Sequence, residues 1–185
     1  TPLTALLFAQ VMTEAGLPPG VLNVIPTTRP GEVTGPVIAD PRLRKLSFTG
    51  STATGKRLIA ASADQVLRVS MELGGNAPFL VFDDADLDAA VEGALLAKLR
   101  NGGEACVAAN RFLVQQGVAD EFGARLAERM ASFTVGRGTE ASTKLGPMIN
   151  PAAIAKISDL VDDAVSRGAT VATGGHAIEG PGNFF

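Results

Sequence analysis

Short runs of β-branched and aromatic residues alternate with helix-length segments along this chain, and Gly, Pro or a capping side chain marks each junction. A helix laid between two strands carries the chain back to the end where the first strand began, so the strands it joins run parallel. The alternation therefore predicts an α/β fold, a parallel sheet with helices on its faces.

The segments can be placed by their periodicity. Thr1 to Ala15 reads as a helix, with Pro2 in its first turn, Leu3, Leu6, Leu7 and Val11 along one face, and Gly16 at its end. Pro18-Pro19-Gly20 turns the chain into a strand over Val21 to Ile25, followed by a helix over Gly31 to Ala39 and a strand over Lys45 to Phe48. Thr49-Gly50-Ser51-Thr52 can cap a helix to about Ala63, and Val66 to Met71 forms the next strand. A second α/β region follows: strand Pro78 to Phe82, helix from the Asp83–Asp86 cap to Leu99, strand Phe112 to Gln115, helices Ala119 to Phe133 and Pro151 to Gly168, and strand Thr170 to Ala172. The double glycine after Leu73 is the clearest flexible joint, so the expected division is residues 1–72 and 73–185.

Composition narrows the function classes. With 185 residues, 46% of them hydrophobic, there is enough apolar material for one good core or two small ones. The net charge of −3 offers no basic surface for nucleic acid, and no apolar run nears the roughly 20 residues that span a bilayer. A soluble, cytoplasmic protein is expected, with neither nucleic-acid nor membrane partners. A single Cys and a single His leave no soft-ligand cluster, so no metal site is expected. The chain has no initiator Met and stops at Phe184-Phe185 without a closing element, which reads as an internal piece of a longer protein.

Four places could carry chemistry. Gly50-Ser51-Thr52-Ala53-Thr54-Gly55 sits between a strand and a helix, where backbone N–H groups and a helix N-terminus can hold a phosphate; taken alone, a plain helix cap explains it equally well. With Lys56 it also matches an ATP- or GTP-binding loop, except that Arg57 stands where that loop needs a hydroxyl for magnesium. Glu72, at a strand end before two glycines, is open enough to act as a general base, although an isolated strand-end acid is more often only solvated. Cys106 follows a glycine-rich loop, and a helix start there would present its sulfur and favour the thiolate, whereas a lone cysteine is more often a small buried hydrophobe. Arg100, a little upstream, has the forked geometry that grips a carboxylate, or is a solvated helix-end charge.

Taken together, Phe48-Thr49-Gly50-Ser51 with Gly55, Met71-Glu72-Leu73-Gly74-Gly75-Asn76-Ala77-Pro78 and Gly103-Glu104-Ala105-Cys106 resemble the aldehyde dehydrogenase superfamily in order and spacing. The stretch Arg100 to Arg111 is most similar to the succinate-semialdehyde dehydrogenase branch. The resemblance implies parts of two α/β domains, a Rossmann-like cofactor domain ending near Glu72 and a catalytic domain after it. It implies NAD or NADP as cofactor, with Gly50, Ser51 and Gly55 toward the pyrophosphate and Leu73 and Gly74 bordering the nicotinamide. It implies Cys106 as nucleophile, Glu72 as general base and Arg100 on the far carboxylate of a small aldehyde substrate, in a homodimer or homotetramer. An oxyanion-holding asparagine, a ribose-binding lysine and a ribose-binding glutamate are implied outside these residues. Glu104 stands where the family often has Gln, placing an extra negative charge near the thiol, and Ala108 replaces the second cysteine of some members, which removes any disulfide across that pair. A nucleotide-binding module and a catalytically inactive fragment are the competing readings.

Overall fold

The computed structural model describes residues 2–185, and Thr1 lies outside the described residues. Two compact units divide the chain, Thr1–Glu72 and Leu73–Phe185.

The first unit holds α1 (Pro2–Glu14), α2 (Pro30–Ala39), β1 (Lys45–Thr49), α3 (Thr52–Ser62) and β2 (Arg68–Glu72). Gly16, at φ 94°, ends α1 as the left-handed residue that only glycine adopts cheaply, and the Leu17 N–H reaches back to the Met12 carbonyl at 3.0 Å. Strands β1 and β2 pair in parallel from Lys45 opposite Arg68 to Thr49 opposite Glu72. Ile38, Gly55 and Ser62 are buried, and Gln65, in the turn after α3, ties that turn to α2 by donating to the Ile38 carbonyl at 2.6 Å.

Two expectations change here. Val21 to Ile25 is not a strand: Val21, Leu22 and Ile25 lie exposed and no described strand pairs with the segment, so β-branched content finds no ladder to join. The strand expected from Val66 begins at Arg68, because Val66 takes the left-handed position (φ 51°) that closes α3, with the Leu67 N–H bonded to the Ser62 carbonyl at 3.1 Å.

The second unit holds β3 (Ala77–Val81), α4 (Leu87–Leu99), β4 (Ala109–Val114), α5 (Gln116–Ala131) and α6 (Pro151–Ser166). Asp86 caps α4 by accepting from the Asp88 and Ala89 N–H groups, and Asn150 caps α6 through the Ala153 N–H. Strands β3 and β4 are also parallel, and α4 and α5 cover them. Val81, Val91, Ala94, Leu95 and Phe122 form the buried core, with Phe112 bridging the Phe79 and Phe122 rings at centroid distances of 5.4 and 6.3 Å. Thr170 to Ala172, expected as a strand, is irregular for the same reason as Val21 to Ile25: no described neighbour pairs with it. No helix of the described residues is long and apolar enough to cross a membrane.

Candidate functional site

In the first unit the pairing of β1 with β2 ends at Thr49 opposite Glu72, and the Gly50 N–H extends the ladder by donating to the Glu72 carbonyl at 3.0 Å. Gly50, Ser51 and Glu72 thus gather at the carboxyl end of a parallel pair, the end at which open α/β sheets take their ligands. The Glu72 side chain is exposed there.

Ser51 is the N-cap of α3: its hydroxyl accepts from the Thr54 N–H at 3.3 Å and bonds the Thr54 hydroxyl at 3.0 Å. The Thr52 and Ala53 N–H groups are left at the open end of the helix, beyond the reach of any intrahelical acceptor. Gly55 is buried in the first turn, its N–H bonded to the Ser51 carbonyl at 2.9 Å. The Phe48 ring occupies the space in which a side chain on Gly50 would begin, its tip 2.5 Å from that position. The free first-turn donors fit a pyrophosphate, because the helix dipole and the N–H groups both attract negative charge.

In the second unit the cysteine segment is built by a left-handed reversal. After α4, Asn101, Gly102 and Gly103 take φ values of 54°, 66° and 78° in succession. Asn visits this region more readily than other residues with side chains, and glycine enters it freely. Gly103 is also bare because a Cβ there would lie 2.9 Å from the Lys98 carbonyl oxygen. Asn101 closes the reversal twice, its carbonyl accepting the Glu104 N–H at 3.1 Å and its amide donating to the Glu104 carbonyl at 3.2 Å.

Cys106 follows in a tight turn, with the Ala108 N–H bonded to the Ala105 carbonyl at 3.1 Å, and β4 begins at Ala109. No helix starts at Cys106, contrary to the expectation, because pairing of Ala109 with Ala77 commits the chain to a strand. The sulfur is free and exposed without a helix N-terminus behind it.

The parallel register sets the lead-in to β3 beside the lead-in to β4. Leu73 and Gly74 run directly into Gly75, which lies so close to the Cys106 turn that a Cβ on it would overlap the Cys106 carbonyl oxygen. The ladder is irregular between Ala77 and Pro78, where proline has no N–H to give, and there the Arg111 guanidinium donates to the Asn76 carbonyl at 3.0 Å. On the other side Lys98 bonds the Asn110 amide oxygen at 2.6 Å, joining the end of α4 to the start of β4 around the loop.

Arg100 lines a cleft of about 270 Å³ together with Leu96, Ala97, Ala105, Val107 and Ala108, so Arg100 and the residues flanking Cys106 share one wall. No carboxylate pairs with Arg100 among the described residues. A larger groove, about 350 Å³, lies over α4 and α5, but its rim is spent on the ion pairs of Arg125 with Asp88 and Arg129 with Glu92. The described residues contain no group of three or more His, Cys, Asp or Glu able to hold a metal.

The structure therefore brings Gly50, Ser51, Gly55 and Glu72 together in one unit; in the other it sets Gly75, next to Leu73 and Gly74, against the Cys106 turn, and Arg100 in a cleft with the residues flanking Cys106. Asn101 and Lys98 were not singled out from sequence, and Gly75 was read as a flexible joint rather than as a contact of the cysteine turn. Asn101-Gly102-Gly103 carried a readable signal, since Asn and Gly are the residues that accept positive φ.

Residues 1–185 match the aldehyde dehydrogenase family. A succinate-semialdehyde dehydrogenase of Paenarthrobacter nicotinovorans is 57% identical over 185 residues, covering 100% of this chain and 41% of that protein. A glutarate-semialdehyde dehydrogenase of Pseudomonas putida is 51% identical over 185 residues, covering 100% of the chain and 38% of the relative. The crystal structure of succinate-semialdehyde dehydrogenase from Burkholderia pseudomallei superposes with a TM-score of 0.95 at 49% identity, over 100% of this chain and 38% of that one. The chain thus spans about two fifths of the length of the relatives it matches, and its α/β architecture is that of the family's solved structures. An ATP- or GTP-binding loop at Gly50 to Lys56 is not favoured: the family match covers the segment, and Arg57 turns its guanidinium onto the Thr54 hydroxyl at 3.1 Å.

Proposed function

Because the chain belongs to the aldehyde dehydrogenase family, we propose that the full-length enzyme oxidises a semialdehyde bearing a far carboxylate, succinate semialdehyde foremost, to the dicarboxylic acid. Residues 1–72 are then the end of the dinucleotide-binding domain and residues 73–185 the beginning of the catalytic domain. The observation that carries this reading is the cleft whose wall joins Arg100 to the residues on either side of the exposed Cys106.

In this reading Arg100 binds the far carboxylate through parallel N–H bonds and thereby aims the aldehyde carbon at the sulfur. The Cys106 thiolate adds to that carbon, forming the C–S bond and placing negative charge on oxygen. The turn at Gly50 and Ser51, with Gly55 packed inside the first turn of α3, presents the free Thr52 and Ala53 N–H groups to the pyrophosphate of NAD or NADP, the dinucleotides that this family uses, and Leu73 and Gly74 border the nicotinamide. When bound, the oxidised dinucleotide supplies the acceptor for the hydride lost from the substrate carbon, so that a thioester remains on Cys106. Glu72 then takes a proton from water, the oxygen attacks the thioester carbonyl, and the C–S bond breaks to return the thiolate and release the acid.

Two variants of the full-length enzyme test the roles. Cys106→Ala should abolish aldehyde-dependent formation of reduced dinucleotide. Glu72→Gln should give a first-turnover burst followed by slow release, since acylation survives and hydrolysis does not. An unchanged steady-state rate in either variant removes that residue from the reaction.

A further inference from the structure

Gly75 is not in the left-handed region, so its backbone conformation does not call for glycine. Space does. A Cβ on Gly75 would overlap the carbonyl oxygen of Cys106, and that obstacle is backbone rather than the end of a side chain that could swing away. The carbonyl belongs to the peptide plane that leaves the Cα bearing the sulfur, so whatever holds it limits the direction in which Sγ points. The neighbouring contact acts on the same pair of segments, with Arg111 after the turn donating to Asn76 beside Gly75 at 3.0 Å.

We propose that Gly75 is a positioning residue for the nucleophile: its bare Cα is the seat on which the Cys106 turn rests, and Arg111 holds that seat against the turn. The inference rests on Cys106 being the nucleophile. A methyl group at position 75 pushes the turn away by about an ångström, and a misplacement of that size costs roughly 100-fold in rate.

In the full-length enzyme, Gly75→Ala should lower kcat about 100-fold with the aldehyde KM changed less than threefold, and should change the rate of Cys106 alkylation by iodoacetamide in the absence of substrate. A folded Gly75→Ala enzyme with unaltered kcat and alkylation rate overturns the proposal. If that variant does not fold, the exposed Arg111 decides. Arg111→Met should lower kcat about tenfold at constant KM and Arg111→Lys should restore most of it, whereas full activity in Arg111→Met refutes the seat. Cys106→Ala is run in parallel: retained activity there defeats the nucleophile assignment itself, while loss there with an unaffected Gly75→Ala defeats only the positioning.

Discussion

Replacing Arg100 by Ala tests substrate recognition with a magnitude that follows from its surroundings. Arg100 lines an open cleft with Ala105, Val107 and Ala108, and its guanidinium is not engaged by any described carboxylate, so its donors are available to a ligand. A hydrogen bond to a charged group contributes about 1.5–3 kcal/mol, and removing one partner leaves the other unsatisfied. In a cleft open to water the lower half of that range applies, because solvent screens the pair. The expected loss in kcat/KM for succinate semialdehyde is therefore about 10- to 40-fold, as 1.4 kcal/mol corresponds to tenfold. Butanal, which has no far carboxylate, should lose less than threefold. The assay is initial-rate formation of reduced dinucleotide with both aldehydes at two ionic strengths, and the loss with the charged substrate should shrink as salt rises. Equal losses for the two aldehydes, or no dependence on salt, would refute carboxylate recognition by Arg100.

Phe122, 2% exposed and packed against Phe112, holds α5 to the second sheet; Phe122→Ala should cost about 3–5 kcal/mol, read as a lower chemical-unfolding midpoint of the full-length enzyme, and an unmoved midpoint would contradict its place in the core. The Asp40 carboxyl is held well below its ordinary value of 3.8 by side-chain hydrogen bonds from Arg42, at 2.9 Å from Nε. Because the folded form holds the carboxylate more strongly, the contribution to stability is complete above the ordinary value and is lost as pH falls through the lower folded one. Carbon NMR of Asp40 should show the depressed midpoint, and Arg42→Ala should raise it; a midpoint that does not move excludes the pair as its cause.

Local chemistry was legible where it was self-sufficient. Ser51 and Asp86 cap helices within the segments whose short polar side chains predict caps, and Gly16 ends α1 as a residue free to take positive φ. The parallel direction of β1 with β2 and of β3 with β4 followed from the helices between them. Val21 to Ile25 and Thr170 to Ala172 were misread because a strand is completed by its neighbour, and propensity cannot supply one. Of the helix start and the turn open to the small-residue stretch at Cys106, the chain takes the turn, because Ala109 pairs with Ala77 and the strand begins there.

By itself, the sequence determined the order of elements, their direction and the motifs that mark the family, because each depends on a few adjacent residues. Only the tertiary structure decided that Gly75 abuts the Cys106 carbonyl, that Arg111 reaches Asn76, and that Arg100 faces the same cleft as the cysteine's neighbours. The first two meetings depend on the parallel pairing of β3 with β4, whose partners lie far apart in the chain, and the third on the left-handed reversal that folds Arg100 back toward Ala105 to Ala108; none is fixed by the preference of a single residue.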